Sequence, residues 1–263
     1  MSEQQDALDD LGASGVLAAI SWAGVSAYKR TMRDYDPESG HDHGWVGFTA
    51  HGLLCDRQDR VFSCGRYSVA SPDEANSGLD VVAAGLLPGE FESMPKIAPG
   101  VVTRANWNGS PGWRCGAWRW LQSSFTFGES DAILWGQKRP TKQRAASQAV
   151  PDQLMLPTDE DGLQFLGGPE VLLAKEEDSD VLTTLVLGHS VQKDLNVQEL
   201  LLGRSRLNKG GGPAWYWKHD LLASRAEGQG RTRPPAFPAP RPGLDGVPDA
   251  TVRLRRKSQE GSE

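Results

Sequence analysis

Three of the five histidines in the sequence lie within eleven positions of one another, and imidazole is a common metal ligand. His41 and His43 alternate along a segment that leads into an apolar run, so on an extended backbone both rings point the same way. His51 or Cys55, returning from the next element, would complete the ligand set. The spacing matches no standard zinc pattern, and the alternative interpretation is a set of solvated loop histidines.

A second group of residues able to bind a ligand is the basic run that begins after Trp135. It contains four cations within seven positions: Lys138, Arg139, Lys142 and Arg144. Such a run can bind phosphates without reading bases, and a nearby tryptophan can stack on a base. The alternative is a solvated loop that balances an acidic protein body.

A glycine-rich segment, 210–213, follows Lys209 and offers a third possible anion site. Glycines let backbone amides approach an anion, and the neighbouring cation adds charge. No Gly-Lys-Ser/Thr ending follows, and Pro213 lacks an amide hydrogen, so a hairpin turn is the favoured interpretation. Lys209 remains a candidate anion-binding residue.

The established catalytic motifs are absent from the sequence. It contains no GxSxG, GxGxxG or HExxH pattern. His189 and His219 follow apolar or aromatic segments and are interpreted as structural histidines, and the cysteines at 64 and 115 as inert small hydrophobes. The sequence therefore assigns no catalytic residue.

In the first third of the chain, the spacing of the apolar residues changes from that of a helix to that of a strand. Apolar residues recur at helical spacing across 16–33, which predicts a helix after a short first turn. Alternation then predicts strands at 45–49 and 61–69, joined by a polar hairpin loop at 56–60. A capping box at Ser71 predicts a short helix to about Leu86.

The rest of the chain favours strands. An antiparallel meander is predicted between Val101 and Trp135, and a long mobile connection over about 137–162. Further strands are predicted in three segments: 171–174, 182–187 and 199–202. A Gly-rich turn at 208–213 then precedes the aromatic segment 215–217.

Composition limits the class of protein. The 263 residues carry a net charge of −6 and nine tryptophans, whose large rings we expect in the core. Three cysteines form no disulfide framework, the N-terminus is acidic, and no apolar run approaches the roughly 20 residues of a membrane span. These features predict a soluble, reduced, cytoplasmic protein with no membrane segment.

The fold class predicted is α+β, a predominantly antiparallel sheet with an N-terminal helix. We expect residues 1–225 to form one domain and 226–263, rich in Pro, Gly and Arg, to form a disordered basic tail. The charge asymmetry suggests either an anionic partner or a tail that folds onto the acidic body.

No catalytic constellation is complete, so the leading functional hypothesis is a non-enzymatic binding or accessory module without a cofactor, its partner a protein or nucleic acid. One alternative is a metal-dependent hydrolase that binds a divalent ion through His41, His43 and His51. The other is a nucleic-acid-binding protein that uses the basic run 138–144.

Overall fold

The computed structural model describes residues 2–68, 79–149, 182–192 and 197–223. Within these ranges the chain forms five α-helices and six β-strands. The helices are α1 (Glu3–Ala13), α2 (Val16–Asp34), α3 (His43–Val61), α4 (Leu79–Ala83) and α5 (Pro140–Ser147). The strands are β1 (Thr103–Arg104), β2 (Gly112–Cys115), β3 (Trp118–Ser124), β4 (Thr183–Gln192), β5 (Val197–Ser205) and β6 (Trp215–Asp220).

The six strands form one sheet in chain order. Every neighbouring pair is antiparallel except β3 and β4, which run parallel with Trp118 opposite Thr183 and Ser124 opposite His189. A parallel pair needs a long crossover, and α5 lies on this connection. The structure thus confirms the predicted α+β class, the mostly antiparallel sheet and the N-terminal helix.

Both faces of the sheet are covered. One face, with Leu185 and Leu187, shares a core with α1, α2 and α3. The opposite face, with Val186, packs against Ala146 of α5. Because alternate residues of a strand point to opposite faces, burial on both sides explains why β4 is apolar without alternation.

The predicted helix at 16–33 is confirmed as α2, and the predicted short turn before it is the longer helix α1. A glycine allows α2 to approach the sheet closely. A Cβ atom placed on Gly24 would lie 2.6 Å from Leu200 Cδ2 on β5. The absence of a side chain at Gly24 therefore lets α2 pack closely against β5.

The strand predicted at 45–49 is wrong, because this segment is the first half of helix α3. Asp42 caps the helix by accepting a hydrogen bond from the Trp45 backbone at 2.7 Å. The buried residues Val46, Ala50 and Leu54 then recur every four positions, which is helical spacing. Helix capping and burial outweigh the local alternation of aromatic and β-branched residues.

The hairpin loop predicted at 56–60 is also wrong, because these residues form the last turns of α3. Asp56 accepts from Arg57 at 2.6 Å and from Arg60 at 2.7 Å. Asp59 pairs with Arg104 of β1 at 2.5 Å. A polar cluster typical of an exposed turn is here a partly buried ion-pair network that ties α3 to the sheet.

Two further predicted segments differ from the structure. The strand predicted at 61–69 is the end of α3 and a short 3-10 helix, Gly65–Tyr67. The polar connection predicted from residue 137 contains α5, which begins with Pro140 at its first position. The meander predicted between Val101 and Trp135 is confirmed for β1, β2 and β3, but its end forms short 3-10 helices.

Tryptophan dominates the core, as the composition predicts. Seven of the nine are buried, and Trp113, Trp120 and Trp135 are among the largest fully buried side chains. Trp113 stacks on Trp120 with ring centroids 6.5 Å apart. The core is therefore built around indole rings whose N–H groups each need an acceptor.

Several predictions fall outside the described residues: the strand at 171–174, the acidic part of the connection, the capping box at Ser71 and the C-terminal tail. Taken singly, no helix within the described ranges has the length and apolar character to cross a membrane. α1 and α2 together reach that length and composition, but they meet at an angle of 79°.

Candidate functional site

The structure does not bring His41, His43 and His51 together. His41 stacks on Trp45 with centroids 3.9 Å apart, and its Nδ1 accepts from the Asp36 amide at 3.0 Å. His43 begins α3, and His51 lies about 12 Å further along the same helix at 1.5 Å rise per residue. Across the part of the chain that the structure describes, no three His, Cys, Asp or Glu residues are placed to hold a metal ion.

A cleft of about 460 Å³ opens where the C-terminal end of β3 meets α3 and the start of α5. Three chain segments and the end of β3 form its walls. These are Gly47, Phe48 and His51 of α3; Gly109, Ser110 and Pro111 before β2; Gln122, Ser123 and Ser124 of β3; and Lys138, Arg139 and Lys142. Its volume lies within the range of roughly 300–1,000 Å³ that is typical of small-molecule sites.

Three of the five predicted anion-binding residues line this cleft. Lys138 and Arg139 precede α5, and Lys142 lies in its first turn. The helix therefore gathers cations that the sequence placed on a mobile loop. The other two, Arg144 and Lys209, are not among the residues that line the cleft.

Lys142 is a buried lysine. It is 7% exposed, and its ammonium nitrogen forms no hydrogen bond with any residue that the structure describes. Burial, with a smaller contribution from the charge of Arg139, lowers the pKa of Lys142 to about 7. A lysine ammonium buried in this way is destabilising unless an anion or acceptor meets it.

A chain of three polar rings runs from the core to the cleft. The Tyr28 hydroxyl lies 2.7 Å from His189 Nδ1. His189 Nε2 lies 3.1 Å from His51 Nδ1, and His51 lines the cleft. The chain thus joins α2, β4 and α3 at the inner end of the cleft.

The hydrogen-bond directions in this chain are fixed from the core outward. An indole N–H can only donate, so Trp120 donates to Gln58 Oε1 at 2.9 Å. Gln58 Nε2 then donates to Gln122 Oε1 at 3.1 Å. Gln122 Nε2 is left to donate to the His51 carbonyl at 2.9 Å and to His189 Nε2 at 3.3 Å.

These directions determine the tautomer of both histidines. His189 Nε2 accepts a hydrogen bond, so the proton of the neutral ring is on Nδ1 and is donated to Tyr28. His51 Nδ1 lies 3.1 Å from that same nitrogen, where two lone pairs would repel each other, so His51 Nδ1 carries the proton and shares the single lone pair of His189 Nε2 with Gln122. A neutral imidazole carries one N–H, so His51 Nε2 has a free lone pair. No hydrogen bond within the described residues uses that nitrogen.

Both rings are neutral near pH 7. Complete burial lowers the pKa of His189 far below its ordinary value, with further lowering by His51 and Lys142. Burial lowers the pKa of His51 as well, assisted by the positive charges of Lys142 and Arg139. A neutral histidine with an unprotonated nitrogen in a cleft is a proton acceptor.

The thiol beside this network is not a nucleophile. The Cys55 thiol donates to Gln122 Oε1 at 3.3 Å, and burial raises the pKa of the thiol to about 11. Cys55 therefore remains protonated at neutral pH. All three cysteines are free thiols.

Sequence reasoning missed the contribution of His189, Tyr28 and Gln122. His189, interpreted from the sequence as a structural histidine, is 2% exposed, and its contact with His51 was overlooked. The two histidines are 138 residues apart in the chain. One signal was present: Gln122 directly follows the buried Leu121, and His189 follows the apolar run Leu185–Gly188, so both polar groups enter buried strands where they need a partner.

The chain matches no protein-family model, no curated protein and no solved structure.

Proposed function

We propose that the protein binds a small anionic ligand, carrying a phosphate or carboxylate group, in the cleft between α3, β3 and α5. The observation that carries this proposal is the Lys142 ammonium, which is buried and has no hydrogen-bond partner. A binding module of this kind agrees with the leading hypothesis from the sequence.

The energetics of Lys142 support an anionic ligand. A buried donor without an acceptor costs about 1–3 kcal/mol, and more when it is charged. An anion in the cleft would supply the acceptor and raise the protonated fraction of the lysine. Its flexible four-carbon stem lets the ammonium turn toward the ligand with little backbone movement.

The rest of the cleft suits an anion as well. Lys138 and Arg139 add two cations on the same wall, so the local charge is positive although the whole chain carries −6. Ser110 and Ser124 add hydroxyl groups that can donate to a ligand oxygen. A few polar groups that converge on a concave surface are typical of a site for a small ligand.

Isothermal titration of the full chain with inorganic phosphate at pH 6.5 tests the proposal. We expect Lys142→Met to weaken phosphate binding at least about tenfold, since one charge-assisted hydrogen bond contributes roughly 1.5–3 kcal/mol. Lys209→Met is the matched control, because this exposed lysine lies outside the cleft. It should change the affinity less than about twofold.

Two results would contradict anion binding at this site. One is a wild-type chain that shows no heat of binding at millimolar phosphate. The other is a Lys142→Met variant that binds phosphate as tightly as the Lys209→Met control does.

A further inference from the structure

His51 offers more to the cleft than a binding contact. Its Nδ1–H is directed to His189, its ring lines the cleft, and no hydrogen bond within the described residues uses its Nε2. The direction of each bond follows from the donor-only indole of Trp120. The protein therefore holds one nitrogen of this ring unprotonated by geometry, which is the arrangement of a general base.

Cations lie close to this proton acceptor. Lys142 and Arg139 line the same cleft as His51 and act on its ring electrostatically. A phosphate bound by these two cations would lie in the same cleft as the His51 ring. Positive groups in this position also stabilise the extra negative charge that a phosphate gains when a nucleophile adds to it.

An aromatic platform completes the site. Phe48 and His51 are three residues apart on α3, so their side chains lie on the same face of the helix. Both line the cleft, and Phe48 is 82% exposed. An exposed ring next to a phosphate-binding group is the arrangement by which proteins stack a nucleobase of a single strand.

The cleft lacks an activated nucleophile of its own within the described residues. The Cys55 thiol is bonded to Gln122, and no hydrogen bond joins His51 Nε2 to a serine hydroxyl. A substrate that carries its own nucleophile next to its phosphate can react without a nucleophile from the protein. The 2′-hydroxyl of RNA is such a group, and DNA lacks it.

We propose that this cleft cleaves single-stranded RNA, with His51 as the general base and Phe48 as the platform for a base; the inference rests on the proposed anion binding. His51 Nε2 takes the proton of the 2′-hydroxyl as its oxygen bonds to the adjacent phosphorus. The bond from phosphorus to the 5′-oxygen breaks, and that oxygen takes a proton from the Lys142 ammonium. His51 then returns its proton to Lys142 through solvent, so the products are a 2′,3′-cyclic phosphate and a 5′-hydroxyl.

The test uses the full chain and a short, end-labelled single-stranded RNA at low ionic strength, with mass spectrometry of the products. The wild type should produce 2′,3′-cyclic phosphate ends and leave the same sequence with 2′-deoxyribose intact. His51→Gln should lower the cleavage rate by about 100-fold or more. Glutamine keeps an N–H donor for His189 but supplies no base.

Two further variants separate base stacking and contamination from catalysis. Phe48→Ala should raise KM about fivefold or more with little change in kcat, since stacking on an aromatic ring contributes to binding. Because the Phe48 side chain is highly exposed, its removal takes little packing from the core and should not unfold the protein. His219→Gln, purified in the same way, should cleave RNA like the wild type.

The inference is overturned if the wild type cleaves RNA no faster than His51→Gln, or if it cleaves the 2′-deoxy strand equally well. Phosphate titration of the same samples keeps the two proposals apart. Phosphate binding without RNA cleavage overturns the nuclease activity alone, whereas absence of phosphate binding overturns both. Retained phosphate binding by His51→Gln shows that a loss of cleavage does not come from unfolding.

Discussion

At the scale of single residues, the cleft combines a buried cation with an unprotonated imidazole. Among the residues that the structure describes, Lys142 has no hydrogen-bond partner, and the internal network leaves one ring nitrogen of His51 unused. The unpaired ammonium costs stability in the unliganded protein. Residues that are costly to the fold and line a cleft are candidates for function.

Lys142→Met should stabilise the phosphate-free protein by roughly 1–3 kcal/mol at pH 7, because it removes an unpaired buried donor and keeps the apolar stem. The pKa of Lys142 is about 7 in the folded chain and 10.5 in the unfolded one. Between these values the unfolded chain binds more protons, so this lysine makes stability rise with pH.

Urea unfolding of both proteins at several pH values measures this effect. The difference in free energy of unfolding between Lys142→Met and the wild type should become smaller as the pH rises from about 7 toward 10. A variant that is less stable than the wild type at pH 7 would mean that Lys142 has a partner that stabilises it.

At the scale of elements, α3 positions two residues of the cleft, and ion pairs at its C-terminal end fix the helix in the fold. Its first half carries Phe48 and His51, and its last turns carry Asp56, which bonds to three arginines and to Tyr67. Arg60 also donates to the backbone carbonyls of Val81 and Val82 in α4. The ion-pair network thus fixes the helix, and the helix orients the cleft residues.

Asp56→Asn should lower the free energy of unfolding by about 3 kcal/mol at pH 7, since it leaves partly buried arginines without their anion. Burial raises the pKa of Asp56, but hydrogen bonds from Arg60 and Tyr67 together hold it below the ordinary 3.8. The contribution is therefore present above pH 3.8 and lost as the pH falls through the lower folded value.

Chemical denaturation at pH 7 and at pH 3 checks this prediction. The difference in free energy of unfolding between wild type and variant should be smaller at pH 3. Asp34→Asn provides the control. It removes the exposed pair with Arg30 at 2.5 Å and should cost less than about 1 kcal/mol. Equal losses in the two variants would contradict a special role for Asp56.

At the scale of the whole molecule, the core and the cleft share one hydrogen-bond network. It starts at the fully buried Trp120, passes through Gln58 and Gln122, and ends at the two histidines. With Tyr28, whose hydroxyl contacts His189, four elements contribute to it: α2, α3, β3 and β4. The protonation pattern at the surface therefore depends on a residue deep in the core.

Trp120→Phe should remove the constraint that fixes the tautomer of His51. Without the indole donor, the Gln58 amide can turn over, Gln122 can follow, and His51 loses the constraint that places its proton on Nδ1. Nitrogen-15 NMR of the histidine rings measures the change, and we expect a mixture of tautomers in place of one. The loss of a buried hydrogen bond and of packing should also destabilise the protein by about 1–3 kcal/mol.

Trp135→Phe is the matched control. Its indole donates to the Ala214 carbonyl at 2.6 Å, on the opposite face of the sheet. It should lower stability by a similar amount and leave the His51 signals unchanged. Identical NMR changes in both variants would mean that the His51 tautomer responds to a general loss of core packing and not to the hydrogen bonds that begin at Trp120.

The sequence by itself determined the elements whose signals are local. The apolar period of α2, the turn-separated strands around β2 and β3 and the heavy use of tryptophan in the core were all predictable. The basic residues of the cleft were also singled out, since Lys138, Arg139 and Lys142 form a visible run. These features follow from residue type and short-range spacing alone.

Tertiary structure decided what depends on contacts between distant segments. The alternation at 45–49 resembles a strand, yet the cap from Asp42 and the burial of Leu54 make it a helix. That change places His43 and His51 about two helical turns apart on α3. It also turns His51 toward His189, a contact that no local pattern encodes, because burial on two packed elements creates it.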